Sequence, residues 1–226
     1  MLYGSKINPA DKHNTLTMIV DMVNEGARVL DVGCGVGNKA AFLSGAKKCQ
    51  VSGIEVLPLM AEMARRYCSQ IIVGDIEDAS VRQQALVGGP FDYIIFADVL
   101  EHLADPWTVL AAMRNALSQD GRVLISVPNV AHWTIRLQLA SGKFDYTEGF
   151  LLDRTHLRFF TLASARHLIA FCGYKVEKEI VRWSPFPGDR LWRKVPFLRN
   201  AVNETIAKIF PGLYGYQFVF CLRKNE

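Results

Sequence analysis

Several protein classes are excluded by what this 226-residue chain lacks. No apolar run approaches the roughly 18–20 residues that cross a bilayer, and the opening MLYGSKINPADKHN carries no signal-peptide core. Seventeen Gly and nine Pro are too few for a collagenous or low-complexity chain. The five Cys (34, 49, 68, 172 and 221) are odd in number, scattered and without a CxxC pair. That pattern argues against a disulfide framework or a structural zinc site, and a reducing cytoplasm fits it. A dense basic stripe is also missing: the net charge is only +4, and its excess sits in the last 45 residues, with 8 basic against 3 acidic side chains. Nucleic-acid binders usually carry more, so this tail reads as a solvated basic edge. What the chain does have is 50% hydrophobic residues, enough for one well-buried core.

Short apolar runs alternate with segments of helical period, the pattern of a parallel sheet covered by helices on both faces. The clearest strands are Arg28–Val32, Gln50–Glu55, Gln70–Gly74, Phe91–Asp98 and Gly121–Pro128. They are apolar on both faces, as buried parallel strands must be. Asp105-Pro106 opens a helix whose Leu110, Met113 and Leu117 form a stripe before Gly121. Thr161 opens another, with Leu162, Ala165, Leu168, Ile169 and Cys172 on one side and Gly173 as its stop. Tyr174–Val181 and Tyr216–Leu222 read as two late strands without an ordinary helical crossover, which predicts an antiparallel hairpin closing the sheet.

The most informative stretch is Val29-Leu30-Asp31-Val32-Gly33-Cys34-Gly35-Val36-Gly37-Asn38. A strand runs into three alternate glycines and then a helix, as a backbone does where it turns sharply and a ligand approaches it. The GxGxG spacing departs from the GxGxxG that seats a dinucleotide pyrophosphate, and the Gly-Lys-Ser/Thr ending of a P-loop is missing. The implied ligand is a nucleoside without a phosphate bridge. Glu55 ends the second strand 22 residues after Gly33, where a carboxylate accepts from ribose hydroxyls or caps a helix.

These features resemble the class I S-adenosylmethionine-dependent methyltransferases, specifically their type 11/23 small-molecule group, over roughly residues 14–181. VLDVGCGVG (29–37), GIEVLP (53–58), VGDIED (73–78), FDYIIFADVLEHLADP (91–106) and GRVLISVPN (121–129) carry the resemblance in register. It implies an α/β Rossmann-like sheet of order 3-2-1-4-5-7-6 with strand 7 antiparallel, and S-adenosylmethionine as cofactor. Carried over residue by residue, Gly33, Gly35 and Gly37 would hold the methionine portion, with Asp31 near the cationic end. Glu55 would take the ribose, Val56 or Leu57 would pack on adenine, and Asp75 with the Ile76 amide would meet its edge. Ala97 and Asp98, ending the fourth strand, would receive the methionine ammonium. Cys34 reads as a small packing residue, because methyl transfer from a sulfonium needs no covalent enzyme intermediate. Asp75 has an alternative as a cap on the helix near Ser80.

A hydroxyl acceptor needs its proton removed. Of the five His (13, 102, 132, 156 and 167), His156 in Asp153–Thr161 is the candidate base, since that loop should face the acceptor. His102 follows the fourth strand and is the second candidate; His132 and His167 read as structural or surface residues. No residue set with metal-ligand spacing stands out. Ala97-Asp98-Val99-Leu100 is not the Asn/Asp-Pro-Pro-aromatic string of enzymes acting on DNA bases, and no RNA-binding module is appended. The expected acceptor is therefore a small molecule or glycan precursor rather than a nucleic acid. A nicotinamide oxidoreductase and a catalytically silent nucleoside binder are the alternatives from other classes. The whole chain is expected to be one domain with an insert at about residues 183–214, containing a short helix at about Leu198–Phe210. Aromatic residues and Arg190, Arg193, Lys194, Arg199 and Lys208 mark that insert as a cap over the acceptor, a contact with an anionic membrane surface, or a docking or dimer surface. Monomer and homodimer both remain open.

Overall fold

The computed structural model describes residues 7–11, 13–184 and 196–225. Along the chain run α1 (Thr15–Asp21), β1 (Arg28–Val32), α2 (Asn38–Ala46), β2 (Gln50–Glu55), α3 (Pro58–Ala64), β3 (Gln70–Val73), α4 (Ala79–Gly88) and β4 (Phe91–Ala97). Then come α5 (Pro106–Met113), β5 (Leu117–Pro128), α6 (Trp133–Ala140), α7 (Leu162–Phe171), β6 (Tyr174–Trp183), α8 (Pro196–Ile209), α9 (Pro211–Tyr214) and β7 (Gly215–Lys224). The seven strands form one sheet of order β3-β2-β1-β4-β5-β7-β6. The β1–β5 pairings are parallel, and β7 runs antiparallel to both β5 and β6.

The core sits on both faces of this sheet, for the reason visible in the apolar runs. Leu30, Ile94, Phe96, Val123, Ile125 and Phe220 face one layer with α4, α5 and α7. Val29, Val51, Tyr93, Ile95, Leu124 and Val219 face the other with α1 and α2. Each successive side chain enters the opposite layer, so polar alternation would leave a polar group buried on one side. Two N-caps anticipated from sequence are formed. Asp105 accepts from Thr108 N–H at 3.1 Å, and Thr161 exchanges bonds reciprocally with Ser164 in a capping box.

The differences from expectation lie at element ends. β6 and β7 extend to Trp183 and back to Gly215, so the connection between them is shorter than residues 183–214. Within it, α8 begins at Pro196 and ends at Ile209, and the separate turn α9 follows. Arg190, Trp192, Arg193 and Lys194 lie outside the described residues. Asn129, at the carboxyl end of β5, donates from Nδ2 to the Gly212 and Gly215 carbonyls at 3.1 and 2.7 Å. This tethers the end of the connection to the sheet edge that carries the site.

Candidate cofactor and acceptor site

The crevice opens beyond the carboxyl ends of β1, β2 and β4, where strand order reverses on either side of β1 and helices diverge. The loop after β1 uses its glycines for shape. Gly33, Gly35 and Gly37 all have positive φ, between +56° and +85°. A Cβ on Gly33 would stand 2.8 Å from Val99 Cγ2, whereas one on Gly35 would project into open space. Gly35 thus leaves room for a ligand against bare backbone. Its N–H donates to Glu55 Oε2 at 2.8 Å, and Glu55 Oε1 accepts from Leu57 N–H at 3.0 Å. These bonds hold the carboxylate between the glycine loop and the start of α3. Beside it, Val56 and Leu57 are exposed although apolar (55% and 47%), a surface suited to a flat heterocycle.

Asp31 is fully buried beneath the loop. Lys39 Nζ stands 3.2 Å from Oδ1, but neither carboxylate oxygen receives a well-directed hydrogen bond. Burial, only partly offset by Lys39, pushes the Asp31 carboxyl up to about 6. Such an under-satisfied carboxylate suits a cationic ligand. Lys39 itself was not anticipated, since nothing in its local sequence marks it as a partner of Asp31. Asp75 is exposed and accepts from Glu77 N–H at 2.8 Å, so it shapes its own loop. The helix-cap alternative fails, because α4 starts at Ala79 behind Asp78. The Ile76 side chain is buried beneath that turn. Cys34 is also buried, and the neighbouring Cys68 thiol together with burial pushes its thiol strongly up, leaving it inert.

Ala97 ends β4 buried, and Asp98 follows at the crevice mouth with φ of +56°, a rare conformation for a residue with a side chain. Its geometry is held from outside the loop. Ser126 Oγ donates to Asp98 Oδ1 at 2.6 Å and accepts from its N–H, while Gln217 Nε2 donates to the same carboxylate. Gln217 Oε1 in turn accepts from Thr15 Oγ1. Ser126 and Gln217 carry no sequence signal for this role, because their partner lies 28 and 119 positions away. Although Asp98 reaches solvent, the crevice walls desolvate it and raise its carboxyl.

The candidate acceptor side is built on the one-turn 3₁₀ helix Leu100–His102 and the loop that precedes α7. The Glu101 carbonyl accepts from Leu157 and Arg158 N–H at 2.8 and 2.9 Å, clamping the two segments together. Arg158 also donates to the Ala104 carbonyl, and Glu77 accepts from Ala104 and Asp105 N–H at 2.9 and 2.7 Å. This bracing brings the two candidate histidines into contact: the His102 and His156 rings meet edge to face, 4.9 Å between centroids. Burial, reinforced by His102, lowers the His156 pKa and keeps its ring neutral. Glu101, fully buried nearby, was missed because a carboxylate one residue before His102 reads as solvated. His132 is the N-cap of α6, buried between Thr134 and Ser184, and stands apart from this pair. His167 is exposed on α7.

Known proteins resemble this chain in sequence and fold. A family model described as a methyltransferase domain matches residues 11–179. A ubiquinone biosynthesis O-methyltransferase of Neisseria meningitidis serogroup C is 34% identical over 107 residues, 46% of this chain and 45% of its own. The chain spans about half the length of the curated relatives it matches. Among solved structures, a SAM-dependent methyltransferase from Archaeoglobus fulgidus superposes with a TM-score of 0.62 at 15% identity, covering 96% of this chain and 95% of its own. The plantazolicin methyltransferase BpumL, in complex with S-adenosylhomocysteine, superposes with a TM-score of 0.59 at 18% identity over 93% and 80%.

Proposed function

The chain belongs to the methyltransferase-domain family, and on that premise we propose that it moves the methyl group of S-adenosylmethionine, its cofactor, onto a hydroxyl. The acceptor in this reading is a small metabolite or a surface-glycan precursor. The observation that carries it is the pairing of two arrangements at one sheet edge: the Gly35–Glu55 cradle and the His102–His156 contact. The names of the O-methyltransferase relatives support an oxygen acceptor.

In this reading Glu55 binds the ribose hydroxyls, exchanging its Gly35 and Leu57 partners for part of that work. Val56 and Leu57 cover the adenine face, and Asp75 with the Ile76 amide meets its edge. The Gly33, Gly35 and Gly37 backbone holds the methionine chain, with the open space at Gly35, and Asp31 supplies negative potential under the cationic end. The Ala97 carbonyl and Asp98 receive the ammonium. The cofactor supplies an electrophilic methyl on a sulfonium. An acceptor oxygen attacks that carbon, the O–C bond forms and the C–S bond breaks. The bonding pair stays on sulfur, leaving neutral S-adenosylhomocysteine. The hydroxyl proton is lost at the His102–His156 pair, in the simplest form to the neutral ring of His156. Holding the oxygen in line with the methyl supplies much of the acceleration.

The test is a transfer assay with methyl-labelled S-adenosylmethionine against hydroxylated metabolites and nucleotide-linked sugars, with product identified by mass spectrometry. Label on an acceptor oxygen supports the reading. Label found only on nitrogen or carbon overturns it.

A further inference from the structure

The geometry points to a divalent-cation site formed by Glu101, His102 and His156 at the acceptor side of the crevice. One ligand atom from each residue lies within 4.8 Å of the other two. Ligands around a common transition ion, bound at about 2.0–2.2 Å, stand roughly 3–4 Å apart. Side-chain rotations of under an ångström or so would therefore close the set.

Two independent features aim these groups at a ligand. Glu101 is 1% exposed, yet its Oε2 has no hydrogen-bond partner. A buried carboxylate without a partner is costly, and a cation removes that cost. Second, His102 Nδ1 lies 3.1 Å from the Thr155 carbonyl. A carbonyl only accepts, so the neutral His102 ring carries its proton on Nδ1 and leaves the Nε2 lone pair free. An imidazole oriented in this way by a carbonyl is the usual support of a metal-bound histidine. The clamp between the Glu101 carbonyl and residues 157–158 fixes His156 relative to the other two before any ion arrives.

Two imidazoles and one carboxylate suit Zn²⁺, Mn²⁺, Fe²⁺ or Co²⁺, whereas Mg²⁺ and Ca²⁺ prefer oxygen-only sites. Three protein ligands leave at least one position open. The inference rests on the proposed acceptor position and deepens it: the open position takes an acceptor oxygen. The ion would lower that hydroxyl's pKa, and with both imidazoles bound the proton would pass to solvent in place of the transfer to His156. No metal-ligand spacing marks this set in the sequence, because His156 lies 54 positions beyond His102.

Binding can be read without methyl transfer. Chelator-treated protein is titrated with Zn²⁺ and Co²⁺ by calorimetry, with Mg²⁺ as comparator, and the Co²⁺ complex is examined by visible absorption. The expected result is one Zn²⁺ or Co²⁺ per chain, bound at least tenfold more tightly than Mg²⁺, with no thiolate charge-transfer band. His102→Ala and Glu101→Gln should weaken it at least tenfold, while His167→Ala leaves it unchanged. Retained S-adenosylhomocysteine binding certifies that each variant is folded. If Glu101→Gln does not fold, anomalous scattering from a Zn²⁺-soaked wild-type crystal decides, with density between the His102 and His156 rings expected. No stoichiometric ion, an ion on cysteine, or affinity unaltered in His102→Ala overturns the site. If the ion binds but no hydroxyl is methylated, the acceptor reading falls and the site stands. Unchanged hydroxyl methylation by ion-free protein that binds no added ion leaves the acceptor reading intact and removes the site.

Discussion

Glu55 joins the glycine loop to α3 through two backbone N–H groups, and the proposed ribose role uses the same two oxygens. Glu55→Ala should weaken S-adenosylhomocysteine binding by about 1.5–3 kcal/mol, roughly 10- to 100-fold, measured by calorimetry. Gly35→Val acts differently, filling the open space over the loop at a φ of +56° that a branched residue resists. It should lower affinity at least as far; unchanged affinity in both folded variants would remove the cradle from the cofactor site. Asp31 adds a pH signature. Its carboxyl titrates at about 6 in the free protein, and a cationic cofactor favours the ionised form. S-adenosylmethionine affinity should therefore fall as pH drops below about 6, by up to tenfold per unit, and Asp31→Asn should flatten that profile. On the acceptor side, His156→Asn should cut turnover by about 10²–10⁴-fold with cofactor affinity nearly intact. A loss below tenfold would reduce His156 to loop packing.

At the scale of elements, the connection between β6 and β7 is the segment whose role the sheet does not dictate. A hairpin needs two to five residues, and a far longer connection usually serves a purpose. Its α8 buries Asn203 and Ala207 but leaves Ile209, and the following Phe210, exposed at 62% and 56%. Lys208 pairs with Glu204 on the outer side at 2.8 Å. The Asn129 tether keeps the following turn on the site-bearing edge of the sheet. We propose that this segment caps the acceptor, its apolar end covering the acceptor's apolar part. Replacing Ile209 and Phe210 with Ser should then raise the acceptor KM several-fold and leave S-adenosylhomocysteine binding unchanged. Normal acceptor kinetics with altered sedimentation would assign the same residues to a dimer surface instead.

For the whole molecule, two buried groups titrate with opposite signs. Burial lowers His132 to about 4, so the unfolded chain binds more protons between pH 6.5 and 4, and stability falls as pH falls through that window. Asp31, raised to about 6, binds more protons when folded, so its contribution to stability grows as pH falls from 6 toward 3.8. Each amounts to about 3 kcal/mol at full extent. In the wild type the two slopes largely offset each other. His132→Gln should uncover the Asp31 slope, with urea-unfolding free energy rising from pH 6.5 to 4 relative to wild type. Parallel pH profiles in the two proteins would contradict the assignment of His132 as the acid-sensitive joint between α6 and Ser184.

The sequence by itself determined the strands, their order of appearance, the glycine turn and the caps at Asp105 and Thr161. Each is written in neighbouring residues: a strand buried on both faces must be continuously apolar, and a cap must sit beside the turn that it closes. The late hairpin was legible because the sequence between the two late strands carries no ordinary helix-and-crossover signature, although α8 and α9 lie within that connection. The tertiary structure alone decided which polar groups meet. Lys39 under Asp31, Gln217 on Asp98, and Glu101 beside His102 and His156 are contacts between segments brought together by the sheet. Lys39, Gln217 and Glu101 have ordinary sequence neighbours, and the significance of each comes from desolvation and from a partner reached only after folding.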